Sequence, residues 1–302
     1  MIPEITVIVL TYNQEQTIAR AIDSVLAQSC VPSYEILIGD DASSDSTREI
    51  CLDFAARYPD IIRLMPSAPR KGVVKNYFQC LEAARGRFIT DCAGDDYWSH
   101  PHKLQLEYEA LTANPDVSIA FGGYGHSALP GTGKIDSRSL LIDQLTSSGY
   151  PPVFLSASMY RRDDALKLMH DNRDLVRNHA FGCEDLPLIC ALLNAGVAYS
   201  IGTDTVHYTT DNISITRQPD PAVQARRVAI DLRMHLTLAR AYNIEDRLLI
   251  QFCRKTLRYI AAKARRAPRC QRKTLRAIFD EVRAETPRGS MTLPTILHRF
   301  LP

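Results

Sequence analysis

Strand-like and helix-like segments alternate with short connections through the first 120 residues, and this alternation constrains the chain more than any other feature. Ile5-Thr-Val-Ile-Val-Leu10 is a nearly continuous apolar, β-branched run, as expected of a strand covered on both faces. Ile18, Ile22, Val25 and Leu26 then recur at helical spacing. Glu35 to Gly39, Ile61 to Met65, the run from Phe88 and Val117 to Phe121 read as further strands. Helices are expected from Ser46, where Glu49 three residues on completes a capping box, from Gly72 to Ala84, and from Pro101 to Asn114. Such a pattern predicts an α/β protein with a mostly parallel sheet and helices on both faces.

Three of these strands end in polar clusters, at residues 11–13, 40–45 and 94–96. Parallel strands share one C-terminal edge, where open α/β sheets bind ligands, so the clusters are expected to meet in one crevice. Phe88-Ile-Thr-Asp-Cys-Ala-Gly-Asp-Asp-Tyr-Trp98 is the most informative of them. It runs as a strand into a glycine and then into adjacent carboxylates, Asp95 and Asp96. Two like charges side by side call for a cation, and hard oxygen donors suit Mg²⁺ or Mn²⁺. A solvated Asp-Asp turn is the plainer alternative for the dipeptide alone.

Composition excludes several classes. Apolar residues make up 45% of the 302 and charged residues 23%, as in ordinary globular proteins. No stretch reaches the ~18 apolar residues of a membrane span. The chain enters a strand by Ile5 without a signal-peptide pattern, which predicts a cytoplasmic protein. The eight cysteines show no Cys-x-x-Cys spacing and are read as free thiols. The net charge of +2 hides an asymmetry: residues 222–302 carry 18 Lys and Arg against 6 Asp and Glu, and residues 1–221 carry 18 against 28.

Thr11-Tyr12-Asn13, Glu35-Ile-Leu-Ile-Gly-Asp40-Asp41-Ala-Ser-Ser-Asp45, Lys75-Asn76 before Ala83-Ala84-Arg85-Gly86, and Gly94-Asp95-Asp96-Tyr97-Trp98 together resemble the family-2 glycosyltransferases of GT-A fold. The resemblance covers roughly residues 4–215. It implies a nucleotide-diphosphosugar donor (a UDP-sugar favoured), a divalent metal (Mn²⁺ or Mg²⁺), and inversion at the anomeric carbon. By the same resemblance, Thr11 and Tyr12, with Asn13 at the same strand end, flank nucleobase and ribose, and Asp41 accepts from the base imide. Asp95 and Asp96 match the end of the family's Asp-x-Asp region, one touching ribose or sugar and the other metal, with Asp96 the favoured metal ligand. Ala93 departs from that region, where many relatives carry Asp or Glu. Arg70, Lys71 and Lys75 either add positive charge near the phosphates or form a solvated basic loop.

Glu184-Asp185 opens the helix that continues through Ala195. Acidic residues complement a helix N-terminus in any protein. The resemblance places the general base here, implying Asp185 as base with Glu184 as the fallback. Residues 122–152, with glycines at 122, 123, 125, 131 and 133 and with Pro151-Pro152, read as a long flexible connection. Phe154 to Tyr160 reads as a strand with Ser156 and Ser158 on one face. Val197 to Ile201 and Thr203 to Tyr208 read as closing strands ending at Asp211 to Ser214, with His207 a core or edge histidine of open role.

The division expected is a GT-A domain over residues 1–218 and a basic α-helical extension over 219–302. Helices are expected at about 222–242, 245–264 and 271–284, with Leu248, Leu249, Phe252, Leu257, Ile260 and Ala261 forming a buried stripe. The positive face either balances the acidic domain or meets an anionic membrane surface or a lipid-linked acceptor. Few exposed aromatics are expected in it, and no nucleic-acid partner is predicted. The reading is an inverting, metal-dependent glycosyltransferase of hexosyltransferase type, acting on a glycan or lipid-linked acceptor in bacterial surface polysaccharide assembly. Its rivals are a nucleotidyltransferase, for which a glycine-rich phosphate loop near the first strand is lacking, and a catalytically silent sugar-nucleotide-binding module, suggested by Ala93.

Overall fold

The computed structural model describes residues 2–29, 32–66, 69–126, 130–147, 150–209, 220–287 and 290. In chain order its elements are β1 (Ile5–Thr11), α1 (Ile18–Leu26), β2 (Tyr34–Asp40), α2 (Thr47–Arg57), β3 (Ile62–Leu64), α3 (Val73–Ala83) and β4 (Phe88–Ala93). They continue with β5 (Tyr97–Trp98), α4 (Lys103–Ala113), β6 (Val117–Gly123), β7 (Gly133–Ile135), α5 (Ser137–Thr146), β8 (Ser158–Arg161), α6 (Arg162–Asp171) and α7 (Arg173–Val176). The last are α8 (Asp185–Ala195), β9 (Val197–Asp204), β10 (Val206–His207), α9 (Pro221–Ala241), α10 (Asp246–Arg266) and α11 (Arg269–Glu285). Two compact units divide the chain: Met1–Leu141 with Pro152–Thr210, and Ile142–Pro151 with Asp211–Pro302.

The first unit is built on one sheet of order β3-β2-β1-β4-β8-β6-β9-β7. β3, β2, β1 and β4 run parallel, as do β6 and β9. β8 lies antiparallel between β4 and β6, and β7 pairs antiparallel with β9 at the edge. The sheet is therefore mostly parallel, as the alternation of segments predicts. Consecutive residues Ile5 to Val9 are all fully buried, so β1 is covered on both faces.

A buried carboxylate fastens the register at the edge where β1 begins. Glu35 stands opposite Thr6 in the β1–β2 ladder and accepts a bond from its hydroxyl (2.8 Å). Arg85 Nε and one terminal nitrogen reach Glu35 at 2.9 and 2.6 Å, and the Arg85 backbone N–H adds a third bond at 2.9 Å. The next residue, Gly86, donates to Thr6 Oγ1, and a Cβ there would stand 2.4 Å from the Thr6 nitrogen. Only glycine allows this approach. Burial pushes the Glu35 carboxyl up, yet the bonds from Arg85 and Thr6 and the charge of Arg63 bring it below the usual range.

Four local expectations are corrected. Ser46 precedes α2 but makes no side-chain cap; Asp45 Oδ1 accepts from Thr47 N instead, while Glu15 takes the Ser46 N–H. Residues 122–152 hold a strand and a helix, β7 and α5. Asp136 accepts from the backbones of Arg138 and Ser139, and Leu140, Leu141 and Leu145 are buried. Between Phe154 and Tyr160 the strand starts only at Ser158, because Leu155–Ala157 forms a 3₁₀ turn. The two closing strands are β9 over Val197–Asp204 and β10 over Val206–His207, so the break between them falls at Thr205 rather than at Gly202. The Asp211 to Ser214 stretch lies outside the described residues.

In the second unit Asp220 caps α9 by accepting from Ala222 and Val223, with Pro221 at the first helical position. His235 is buried with its Nδ1 2.8 Å from Leu145 O and its ring stacked on Phe252, and burial pulls it down to about 4. The α10 stripe runs through Leu249, Phe252, Leu257, Ile260 and Ala261. Leu248 is 38% exposed, because it sits off that stripe in the first turn. No helix among the described residues is long and apolar enough to cross a membrane.

Glu35→Ala should cost about 1–3 kcal/mol in urea unfolding at pH 7, the scale for losing hydrogen bonds to a charged group, because the Arg85 left behind is half exposed. Because the folded pKa is depressed, the contribution is present above the ordinary 4.5 and lost as pH falls below it. The gap between wild type and variant should therefore narrow on acidification. A gap that stays constant down to pH 3.5 contradicts this assignment.

Candidate functional site

The parallel register brings the three strand ends together. Thr11 pairs with Asp40 and Leu10 with Ala93. Asp41 N bonds Thr11 O at 3.0 Å and Gly94 N bonds Leu10 O at 2.9 Å. Asn13 then takes a left-handed turn (φ 52°), and its side chain accepts from Ser44 N at 2.8 Å while its N–H reaches Ser43 Oγ. Thr11 is buried, and its hydroxyl makes no hydrogen bond among the described residues.

Beside this edge the loop before α3 closes over Tyr12. Arg70 lies 3.8 Å above the Tyr12 ring and 3.7 Å from Asp41 Oδ2. Both Asp41 oxygens accept backbone bonds, from Lys71 N at 2.7 Å and Gly72 N at 3.0 Å. Thr11, Tyr12, Asn13, Asp41 and Arg70 thus gather in one place. Lys75 is exposed on the first turn of α3.

The Asp95–Asp96 pair follows β4 through a tight turn, with Asp96 N bonding Ala93 O. Thr17 Oγ1 holds Gly94 O at 2.7 Å, and a Cβ at Gly94 would meet the mobile end of Gln14 (Oε1) at 2.4 Å but also Thr11 Oγ1 at 2.9 Å and the backbone Leu10 O at 3.0 Å. Burial pushes both carboxyls up, Asp96 to about 7 with the like charge of Asp95 adding to it. The Thr209 N–H at 2.8 Å and Arg20 oppose that shift. Arg20 also stacks on Tyr97, and Tyr97 on His207, its partner in the β5–β10 ladder. His207 is therefore an exposed edge residue close to the pair. On the other pleat face of β4, the buried Lys103 bonds Glu107 (2.7 Å) and Thr90 (2.8 Å) beneath the Trp98 ring.

Two desolvated, adjacent carboxylates fit a hard divalent cation. No group of three or more His, Cys, Asp or Glu placed to hold a metal occurs among the described residues. A cation at Asp95–Asp96 would therefore take its remaining oxygens from water and an anionic ligand, the usual pattern for Mg²⁺ with phosphates.

A crevice opens beside this edge, lined by β1 and β4, by Tyr77, by the Phe154–Ser156 turn, and by Glu184 and Asp185. Asp185 starts α8, and its Oδ1 accepts from Cys183 Sγ at 2.5 Å and Leu186 N at 3.0 Å. Asp91 lines the same crevice, buried within β4 and bonded by the Tyr77 hydroxyl at 3.3 Å. Burial pushes the Asp91 carboxyl well above the usual range. Asp91 escaped the sequence reading because a single acid inside an apolar strand resembles a satisfied core residue. The one available signal was that it shares a strand face with Ala93.

The family model described as "Glycosyl transferase family 2" matches residues 6–168, more than half of the chain. The Escherichia coli protein named UDP-Glc:alpha-D-GlcNAc-diphosphoundecaprenol beta-1,3-glucosyltransferase WfgD is 34% identical over 120 residues, 40% of this chain and 45% of its own. Matches to the curated relatives span about a third to a half of those relatives' length. Staphylococcus aureus TarS 1–349, solved with UDP-GlcNAc, superposes with a TM-score of 0.58 at 16% identity, covering 93% of this chain and 88% of its own. The mannosyltransferase PcManGT of Pyrobaculum calidifontis, solved with GDP-Man and Mn²⁺, gives 0.57 at 17% identity over 95% and 77%. At these identities the likeness establishes the fold, which is of the GT-A type.

The close packing at Gly94 is directly testable. Gly94→Ala should lower stability by about 1–3 kcal/mol in urea unfolding, the range for an overpacked site. Gly131→Ala, where a Cβ meets nothing within 4 Å, should be close to neutral. Equal effects at the two positions would count against the packing argument.

Proposed function

The chain belongs to glycosyl transferase family 2, and from that premise we propose that it transfers a sugar from a nucleotide-diphosphosugar, a UDP-sugar favoured, to a hydroxyl of a glycan or lipid-linked acceptor. The observation that carries the proposal is a crevice that Glu184 and Asp185, at the start of α8, line together with Ala93, the end of β4 from which the Asp95–Asp96 turn leaves. The name of WfgD, with its UDP-Glc and diphosphoundecaprenol, and the nucleotide sugars bound to TarS and PcManGT support the choice of ligands. The setting proposed is bacterial surface polysaccharide assembly in the cytoplasm. Residues 1–218 form the catalytic domain in this reading, and 219–302 the basic extension.

Tyr12, Asn13 and Asp41 receive the nucleoside beside Thr11, and Arg70, already stacked on Tyr12, leaves the ring face to the base and turns its charge to the phosphates. Lys75, on the exposed first turn of α3, adds a second positive charge. Asp95 contacts ribose or sugar, and Asp96 holds the metal. When bound, Mn²⁺ or Mg²⁺ supplies the positive charge that stabilises a diphosphate leaving group. Asp185 accepts the acceptor hydroxyl proton, which in-line displacement with inversion requires on the face opposite the leaving group. The bonds from Cys183 Sγ and Leu186 N keep its Oδ1 occupied and orient the carboxylate. Glu184 is the alternative base. Ala93 favours a second reading, a binding module without turnover, and hydrolysis of donor in the absence of acceptor separates the two.

Two variants test the division of roles. Asp96→Ala should abolish the Mn²⁺-dependent part of UDP binding in calorimetry. Asp185→Asn should leave UDP binding intact, lower kcat about 10²–10⁴-fold, and change stability by no more than ~1 kcal/mol. Full activity in Asp185→Asn transfers the role to Glu184 or rejects the mechanism.

The extension is read as a contact for an anionic leaflet. Arg265, Arg266, Arg269 and Lys273 are exposed around the α10–α11 corner, whereas Arg272 is tied to Ala267 O. Each basic side chain near such a surface contributes about 1 kcal/mol, and salt screens the attraction. Replacing these four with Gln should release the protein from phosphatidylglycerol vesicles at low salt while donor hydrolysis persists. Wild-type protein that fails to sediment with those vesicles removes the membrane role.

A further inference from the structure

Asp91 is a costly residue for β4 to carry. It is 6% exposed, its Oδ2 receives only the Tyr77 hydroxyl, and its Oδ1 makes no hydrogen bond among the described residues. A carboxyl group offers up to four bonding positions, so most of its capacity is unused. The Tyr77 and Tyr160 hydroxyls share one bond and hold two protons, so Asp91 Oδ2 takes the remaining one; that accounts for one oxygen of Asp91 and leaves Oδ1 without an internal role. Strand alternation puts Asp91 and Ala93 on the same face, about 7 Å apart along β4, and both line the crevice. Ala93, the smaller of the two and nearer the strand end, leaves the way to Asp91 open.

Resting on the glycosyl-transfer reading, we infer that Asp91 is a specificity-determining residue whose unpaired Oδ1 binds a hydroxyl of the donor sugar at the floor of the crevice. The chemistry of the walls selects that class of ligand. Asp91, Glu184 and Asp185 line the crevice together with Tyr77 and Phe154. A neutral ring bearing several hydroxyls can donate to each carboxylate and lay its C–H faces on the aromatic rings. An anionic group would be repelled from every side. A hydroxyl also suits Asp91 whether or not the carboxyl holds a proton, since it both donates and accepts. Sites built to bond a buried hydroxyl discriminate strongly against analogues lacking it, because the protein group is then left unpaired.

Calorimetry and thermal unfolding on the full chain test this, with UDP, UDP-glucose, UDP-N-acetylglucosamine, GDP and GDP-mannose as ligands. Wild-type protein should bind at least one nucleotide sugar more tightly than its parent nucleotide. Asp91→Leu should weaken binding of that nucleotide sugar by about tenfold or more and leave that of the nucleotide unchanged. Asp91→Ala removes the same oxygens without added bulk and should show the same loss of sugar affinity should the leucine variant not fold. Single-deoxy analogues of the preferred donor then identify the hydroxyl: one should be discriminated by wild type and not by the variant. Unaltered nucleotide-sugar affinity in the variants, or an equal loss for the free nucleotide, overturns the inference alone. Wild-type protein that binds none of these nucleotide sugars rejects the glycosyl-transfer reading, and the inference falls with it.

Discussion

Glu35 lies at the opposite end of the sheet from the crevice, yet the crevice depends on it. A parallel pair has no hairpin to set its register, so something else must prevent a slip. Glu35 supplies that lock by joining Thr6 across the ladder to Arg85 at the end of the α3 connection, while Gly86 lets the same connection lie against β1. With β1 held between β2 and β4 at that end, Thr11, Asp40 and Ala93 must finish level at the other. A slip of one residue in either ladder would turn every apolar side chain of β1 to its other face and carry the acidic turn away from Tyr12 and Asn13.

The acidic groups at that edge are placed where solvent cannot fully stabilise them. Burial raises Asp91, Asp95 and Asp96 together, and the fold offers each only partial compensation. Glu35 shows that the same chain can satisfy a buried carboxylate completely when structure is the purpose. Glu107, below β4, lies between the two cases: Lys103 bonds its Oε2 at 2.7 Å, while its Oε1 has no partner among the described residues and burial raises the carboxyl to about 7. Stability forgone at Asp91, Asp95 and Asp96 is available to whatever cation and hydroxyl complete them.

Much of this was legible in the residues. The continuous apolar run of β1, the helical spacing of Ile18 to Leu26, and the polar strand ends follow from burial on two faces and from the parallel rule. Strand direction was not legible for β8, since periodicity reports which face is buried and says nothing about which way the chain runs. The glycines between 122 and 133 suggested a loop because glycine content outweighed the spacing of Leu140, Leu141 and Leu145. Ser46 offered the right capping pattern, but Asp45, one residue earlier, is the group that reaches the Thr47 N–H. Asp91 shows the limit most clearly. Its meaning lies in the lack of a partner, which a sequence does not record.

The antiparallel β8 also has a consequence for how the sheet comes into being. β3, β2, β1 and β4 are joined by short crossovers within the first 93 residues, so this half can pair as the chain emerges. β6, β9 and β7 form the other half, and among the described residues β8 alone bridges the two. Until Ser158 to Arg161 is in place, β4 presents an open edge on the strand that carries Asp91 and leads into the acidic turn. Synthesis thus leaves the most aggregation-prone feature of the half-built sheet exposed for the time needed to make some 65 further residues. The buried acid in the middle of that edge strand is the kind of residue that discourages pairing with a neighbour while the chain waits.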